Sequence, residues 1–117
     1  MYHFKWVTLH VSDMERSLRF YVDLMGMKVS EHILNDKMEI NMLVTENGVS
    51  IELIRLNDEI IDGPGRGVSV GLIVPDAAAL TAKLKEEGIE VKGPFSPNSY
   101  LTFYFAVDPD GYMIQLI

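Results

Sequence analysis

The 117 residues predict an α+β fold built from two βαβββ modules, each a mixed four-stranded sheet with its helix on the outer face. Three observations carry that prediction. The chain repeats itself: Val11-Ser12-Asp13 returns as Val74-Pro75-Asp76, and Asn47-Gly48-Val49-Ser50-Ile51-Glu52-Leu53-Ile54 returns as Asp110-Gly111-Tyr112-Met113-Ile114-Gln115-Leu116-Ile117. Both recurrences have an offset of 63 residues, and the second keeps four of eight positions. Each conserved aspartate of the repeat opens a stretch with apolar residues at helical spacing, ended by a glycine. Around those stretches the residues alternate in strand fashion between turn-forming pairs.

The first module reads 1–54, a joint 55–63 follows, and the second module reads 64–117. Trp6–Val11 alternates and reads as a strand. Asp13 or Ser12 caps a helix in which Met14, Leu18, Tyr21, Val22 and Met25 recur, and Gly26 closes it. Strands follow near Lys28–Leu34, Lys37–Thr45 and Val49–Leu56, with Asn35-Asp36 and Asn47-Gly48 as turns. The second module repeats the order: strand Val68–Val74, helix Asp76–Glu87 before Gly88, strands Ile89–Lys92, Tyr100–Val107 and Tyr112–Ile117. The two helical stretches differ in length by about one residue. Gly63-Pro64-Gly65-Arg66-Gly67 reads as a hinge and not as a phosphate loop, since it lacks the Gly-Lys-Ser/Thr ending.

Composition bounds the function. Hydrophobic residues make up 48% and charged residues 23%, as in ordinary globular chains. With no cysteine, disulfide frameworks, thiolate metal sites and cysteine nucleophiles are excluded. Ten basic against 17 acidic residues give −7, and without a basic cluster this argues against nucleic acid as a partner. No apolar run reaches the roughly 18 residues of a membrane span, so the expectation is a cytoplasmic protein with no membrane partner.

Alternation then assigns faces. Val7, Leu9 and Val11 oppose Trp6, Thr8 and His10; Val49, Ile51 and Leu53 oppose Ser50, Glu52 and Ile54. In the second module Val68, Val70, Leu72 and Val74 oppose Ser69, Gly71 and Ile73, and Tyr112, Ile114 and Leu116 oppose Met113, Gln115 and Ile117. On the third strands, Met38, Ile40 and Met42 oppose Glu39 and Asn41, and Leu101, Phe103 and Phe105 oppose Thr102 and Tyr104. The uniformly apolar sets are expected under the helices. The mixed sets, with Trp, Thr, His, Ser, Glu, Tyr and Gln, look like a cavity lining.

The repeat, the phrase Asp13-Met14-Glu15-Arg16-Ser17-Leu18-Arg19-Phe20-Tyr21 ending in Leu24-Met25-Gly26-Met27, and the closing Asp108-Pro109-Asp110-Gly111-Tyr112-Met113-Ile114-Gln115-Leu116 resemble the vicinal oxygen chelate superfamily. That superfamily includes glyoxalase, bleomycin-resistance proteins and extradiol dioxygenases. The resemblance implies that each sheet curls into a cup and that modules pair, commonly across a homodimer. Its metal-dependent members hold a divalent ion at four strand positions, with His or Gln at the first pair and Glu at the second. Here those positions carry Trp6 and Ser69, then Glu52 and Gln115. Only Glu52 is a strong donor, so no metal and no other cofactor is expected. His10 is four residues from Trp6, about 13 Å along a strand, and cannot take its place. The resemblance places His10 where glyoxalases carry an arginine that grips the substrate.

Two functions stay open. One is a small-molecule binder, similar to bleomycin-resistance proteins, that sequesters an aromatic or cationic compound: Trp6 stacks, Glu52 meets a cation, and Thr8, His10, Ser69, Tyr104, Met113 and Gln115 complete the lining. The other is a glyoxalase-like lyase or isomerase, related to lactoylglutathione lyase, in which Glu52 is the catalytic base that takes a proton next to a carbonyl. Against each role stands a plainer one. Trp6 can be core, Glu52 an idle hydrogen-bonded carboxylate, His10 a structural histidine and Tyr104 a packing ring.

Overall fold

The computed structural model describes residues 1–117, the whole chain, and divides it into two compact units, Met1–Asp62 and Gly63–Ile117. In the first, strand β1 (Trp6–His10) leads into helix α1 (Met14–Leu18). Strands β2 (Lys28–Leu34), β3 (Met38–Val44) and β4 (Ser50–Leu56) follow. In the second, strand β5 (Ser69–Leu72) precedes helix α2 (Ala77–Glu86), and β6 (Val91–Asn98), β7 (Leu101–Val107) and β8 (Met113–Leu116) complete the set. Each unit is one mixed sheet, β1-β4-β3-β2 or β5-β8-β7-β6, whose first strand runs parallel to its last. The fold class is therefore the α+β duplication expected. No helix is long and apolar enough to cross a membrane.

Both helices start as their sequences require. Asp13 accepts from the Arg16 N–H at 3.2 Å and Asp76 from that of Ala79 at 3.0 Å, each satisfying an otherwise orphaned donor of the first turn. Beyond Leu18 the first helix widens into a π-helical turn, Arg19–Leu24, closed by Met25 N–H donating to the Phe20 carbonyl at 3.0 Å. That widened turn takes up one residue more than an α-turn. It accounts for the thirteen residues from Asp13 to Gly26 against twelve from Asp76 to Gly88. The expected apolar stripe is corrected accordingly. Met14, Ser17, Phe20, Tyr21 and Leu24 are the buried set, while Leu18, Val22 and Met25 are half-buried; from Arg19 on the π-turn shifts which residues face the sheet.

Under the first helix lie Leu9, Leu43, Ile51 and Leu53, all at most 2% exposed; the same face of the second sheet carries Ala106, Ile114 and Leu116 at 0%. Burial of that depth contributes about 1.5–3 kcal/mol per large side chain, far more than helix propensity gives a first α-segment of five residues.

One further expectation is corrected. Strand β6 runs to Asn98 and does not end at Lys92; Pro94 and Pro97 are tolerated because β6 is an edge strand with register shifts. Arg55 and Leu56 lie in β4, as the strand expected over Val49–Leu56 has them. The Gly-rich stretch is tied to the second unit, with Gly65 N–H donating to the Asp110 carbonyl at 2.8 Å.

Candidate functional site

Pairing registers decide which side chains share a face, since partners across a ladder point the same way. In the first sheet Trp6 lies beside Ser50, Thr8 beside Glu52, and His10 beside Ile54. Strand β3 continues this face with Met42 next to Glu52, Ile40 next to Ile54 and Val44 next to Ser50. Glu39, Asn41 and Leu43 take the other side, where Asn41 is 3% and Leu43 0% exposed. In the second sheet Ser69 lies beside Met113 and Gly71 beside Gln115, and β7 adds Phe105 opposite Gln115 and Val107 opposite Met113.

The third strands therefore reverse the expected faces. Met38, Ile40, Met42, Phe103 and Phe105 belong to the open face away from the helix. Tyr104, expected among the cavity residues, pairs with Leu116 and lies on the helix-bearing side. The reason is physical. Apolar alternation locates a core only when the other face is polar, and here both faces are largely apolar. The closing turns carried the missing information: Asp108 N–H donates to the Tyr112 carbonyl and Thr45 N–H to that of Val49. Counting outward from those closures puts Phe105 opposite Gln115 and Met42 opposite Glu52.

The first unit's open face brings together three of the expected residues. Thr8 Oγ1 donates to Glu52 Oε1 at 2.8 Å across the parallel pair, and Trp6, two residues back on β1, is 47% exposed. A half-buried carboxylate that accepts from one hydroxyl keeps a second oxygen for a cationic or hydrogen-bond-donating group. An indole exposed to this degree is not packed into the core. His10 ends the row, its Nδ1 at 2.7 Å from Glu59 Oε1, an ion pair when the imidazole is protonated. In the second unit Ser69, Met113 and Gln115 share one face, and the Gln115 amide lies over Gly71, where an added methyl would stand 3.4 Å from its Oε1.

Sequence reasoning missed an aromatic cluster. Phe95 of β6 pairs with Phe103, and Phe103 and Phe105 alternate along β7, all on the second open face. Ring centroids stand 5.6 Å apart for Phe95–Phe103 and Phe103–Phe105, and 6.1 Å for Phe95–Phe105.

No group of three or more His, Cys, Asp or Glu side chains stands close enough to hold a metal ion. The donor chemistry agrees. On the first open face, indole replaces imidazole at position 6, Glu52 is the one strong donor, and the His10 ring is turned to Glu59. The side chains of this face do not by themselves make up a divalent-ion site.

Comparison with known proteins gives a consistent picture. The sequence model of the Glyoxalase/Bleomycin resistance protein/Dioxygenase superfamily matches residues 3–116. The lactoylglutathione lyase of Salmonella typhimurium is 30% identical over 118 residues, covering 93% of this chain and 87% of that enzyme. An uncharacterized Bacillus subtilis protein, YwbC, is 30% identical over 112 residues, covering 90% and 88%. Among solved structures, the antibiotic-binding protein TnmS3 of a Streptomyces species superposes with a TM-score of 0.77 at 24% identity, covering 99% of this chain and 94% of that one. A glyoxalase I mutant of Zea mays gives 0.85 at 24% identity, with 97% of this chain on 44% of the longer one. At those identities the structures speak for the fold alone.

Proposed function

The chain belongs to the Glyoxalase/Bleomycin resistance protein/Dioxygenase superfamily, and from that premise we propose that it is a metal-independent binder of an aromatic or cationic small molecule. The observation that carries this reading is Trp6, half exposed on the same open face as the Thr8–Glu52 pair; the family resemblance assigns a metal ligand to its position. Trp6 stacks on a planar ligand, and Glu52, held by Thr8, meets a cation or donor. Ser69, Met113 and Gln115 offer polar and soft contacts on the open face of the second sheet, and His10 stands at the end of the β1 row of the first. In this reading the protein acts as a cytoplasmic homodimer that sequesters its ligand. The net charge of −7 favours a cation by bulk attraction.

The test is a screen of planar cationic and neutral aromatics read by the emission of Trp6, the only tryptophan. Saturable quenching or a wavelength shift supports the reading; no response across the panel up to millimolar concentration sinks it. The purified protein is also expected to carry no stoichiometric nickel, zinc, iron or manganese. Elemental analysis that finds roughly one such ion per chain, lost on Glu52→Ala, overturns the metal-free reading.

A second reading is favoured by the 30% identity to lactoylglutathione lyase: a lyase or isomerase in which Glu52 is the base. Its measurement is a lactoylglutathione lyase assay with and without added nickel or zinc. Activity abolished by Glu52→Gln supports it, and inactivity under both conditions leaves the binder.

A further inference from the structure

We propose that a recess on the open face of the second sheet is a binding site for an uncharged planar ring system. The proposal rests on the small-molecule reading and deepens it, giving the ligand a chemical class and a second set of residues. The recess has a volume of about 430 Å³ and is lined by Phe95, Ser96, Pro97, Phe103 and Phe105. That is within the range of small-molecule sites, about 300–1,000 Å³.

The three rings are set up to receive a fourth. Their planes are inclined at 37° for Phe95–Phe103, 61° for Phe95–Phe105 and 82° for Phe103–Phe105, so the recess presents both ring faces and ring edges. Offset-stacked and edge-to-face contacts are both available to an entering ring. These are not core residues. Phe95 is 43% exposed and the other two are half-buried, whereas Ile114 and Leu116 on the opposite face are fully buried. Phe95 sits on the edge strand between two register shifts, at Lys92/Phe95 and at Phe95/Asn98. The backbone that carries it is therefore laddered to β7 only at intervals.

Selection against charge follows from the lining. None of the five residues ionises, and the one side-chain hydroxyl, that of Ser96, is within 3.0 Å of Thr102 Oγ1 and engaged with it. Lys92 shares the face opposite Phe105, but its Nζ already lies 3.8 Å from Glu90 Oε2, and both side chains are at least half exposed. The five lining side chains offer an ionised ligand no counter-charge for the hydration it loses on contact with them.

The probes are 2-naphthol, neutral at pH 7, and 2-naphthoate, its anionic counterpart, titrated into the full chain with ring-labelled phenylalanine and labelled indole. The chain has five phenylalanines, and Phe4 and Phe20 lie outside the recess as internal controls. The expected result is saturable shifts of Phe95, Phe103 and Phe105 with naphthol, none at the controls, and naphthoate weaker by about tenfold or more. Phe95→Ser, on the exposed edge, is expected to weaken naphthol by about tenfold, and Phe103→Leu to weaken it less because it keeps apolar surface. Equal affinity for the two probes overturns the charge selection, and unchanged affinity in Phe95→Ser overturns the site. If naphthol moves the Trp6 indole and none of the three rings, the recess proposal fails while the small-molecule reading stands. If it moves neither, both readings fail for this ligand class.

Discussion

Trp6 and Glu52 carry different parts of the proposed recognition, and substitution separates them. One aromatic pair contributes about 0.5–1.5 kcal/mol beyond burial, so Trp6→Ala is expected to weaken an aromatic ligand by about tenfold or more once the lost apolar contact is added. Trp6→Phe recovers part of this and Trp6→His little. Titration of each variant by calorimetry checks it; wild-type affinity in Trp6→Ala removes the stacking role. The His variant also restores one family-type donor near Glu52, and a gain of nickel or zinc affinity there shows that the strand geometry for a metal survives. A second residue-scale contrast comes from the repeat itself. Gly48 and Gly111 hold equivalent turn positions at φ of +85° and +87°, where any L side chain is strained. A methyl at Gly48 meets nothing within 4 Å, while at Gly111 it falls 2.5 Å from Pro64 Cβ and 2.8 Å from Pro64 Cα. Gly48→Ala is therefore expected to cost about 1–2 kcal/mol for the left-handed backbone alone. Gly111→Ala adds about 1–3 kcal/mol of overpacking. Urea unfolding of both variants checks the order: a lower midpoint for Gly48→Ala than for Gly111→Ala contradicts it.

At the scale of the element, capping gives the simplest expectation. The α2 helix is ten residues long with Thr81 and Leu84 as its buried residues, and Asp76 fixes its entry. Asp76→Ala is expected to lower stability by about 1 kcal/mol, and Asp76→Ser to recover most of it, since a serine oxygen caps the same N–H. Thermal or urea unfolding reads this directly, and an unchanged midpoint in Asp76→Ala shows that packing alone places the helix. The caps, the glycine stops and the strand order could all be read from sequence because each is a local signal with a fixed residue type. What could not be read were consequences of pairing. The π-turn left only a length difference of one residue. Strand β6 continued past Gly93-Pro94 because an edge needs few donors on its free side. Met42, Phe103 and Phe105 alternate like core residues, and Tyr104 like a cavity residue, because an open face lined by apolar side chains has the same pattern as a core. The candidate site was thus legible at Trp6, Thr8 and Glu52, where polar residues interrupt the pattern, and hidden where the lining is phenylalanine.

For the whole molecule, the same open faces pose the question of what covers them. Every residue of the edge strand β2 is exposed, including Val29 at 42%, Ile33 at 46% and Leu34 at 65%. On the open faces Trp6 is 47% and Phe95 43% exposed, and near the start of the chain Phe4 is 70% exposed. Isolated apolar residues on a surface need no explanation, but a long edge strand with apolar side chains invites pairing with another chain. The lysine and glutamate at Lys28 and Glu31 blunt that edge only in part. A closed homodimer satisfies such surfaces with one self-complementary interface, whereas head-to-tail pairing of the same edges propagates into filaments. The expected outcome is a single species of twice the 13.2 kDa chain mass by sedimentation equilibrium at micromolar concentration. A 13.2 kDa monomer at that concentration rejects the dimer. Ligand binding then separates two kinds of dimer. If pairing completes the site, diluting the protein below its dimer constant weakens the ligand in step with dissociation; if affinity is independent of protein concentration, each chain binds alone.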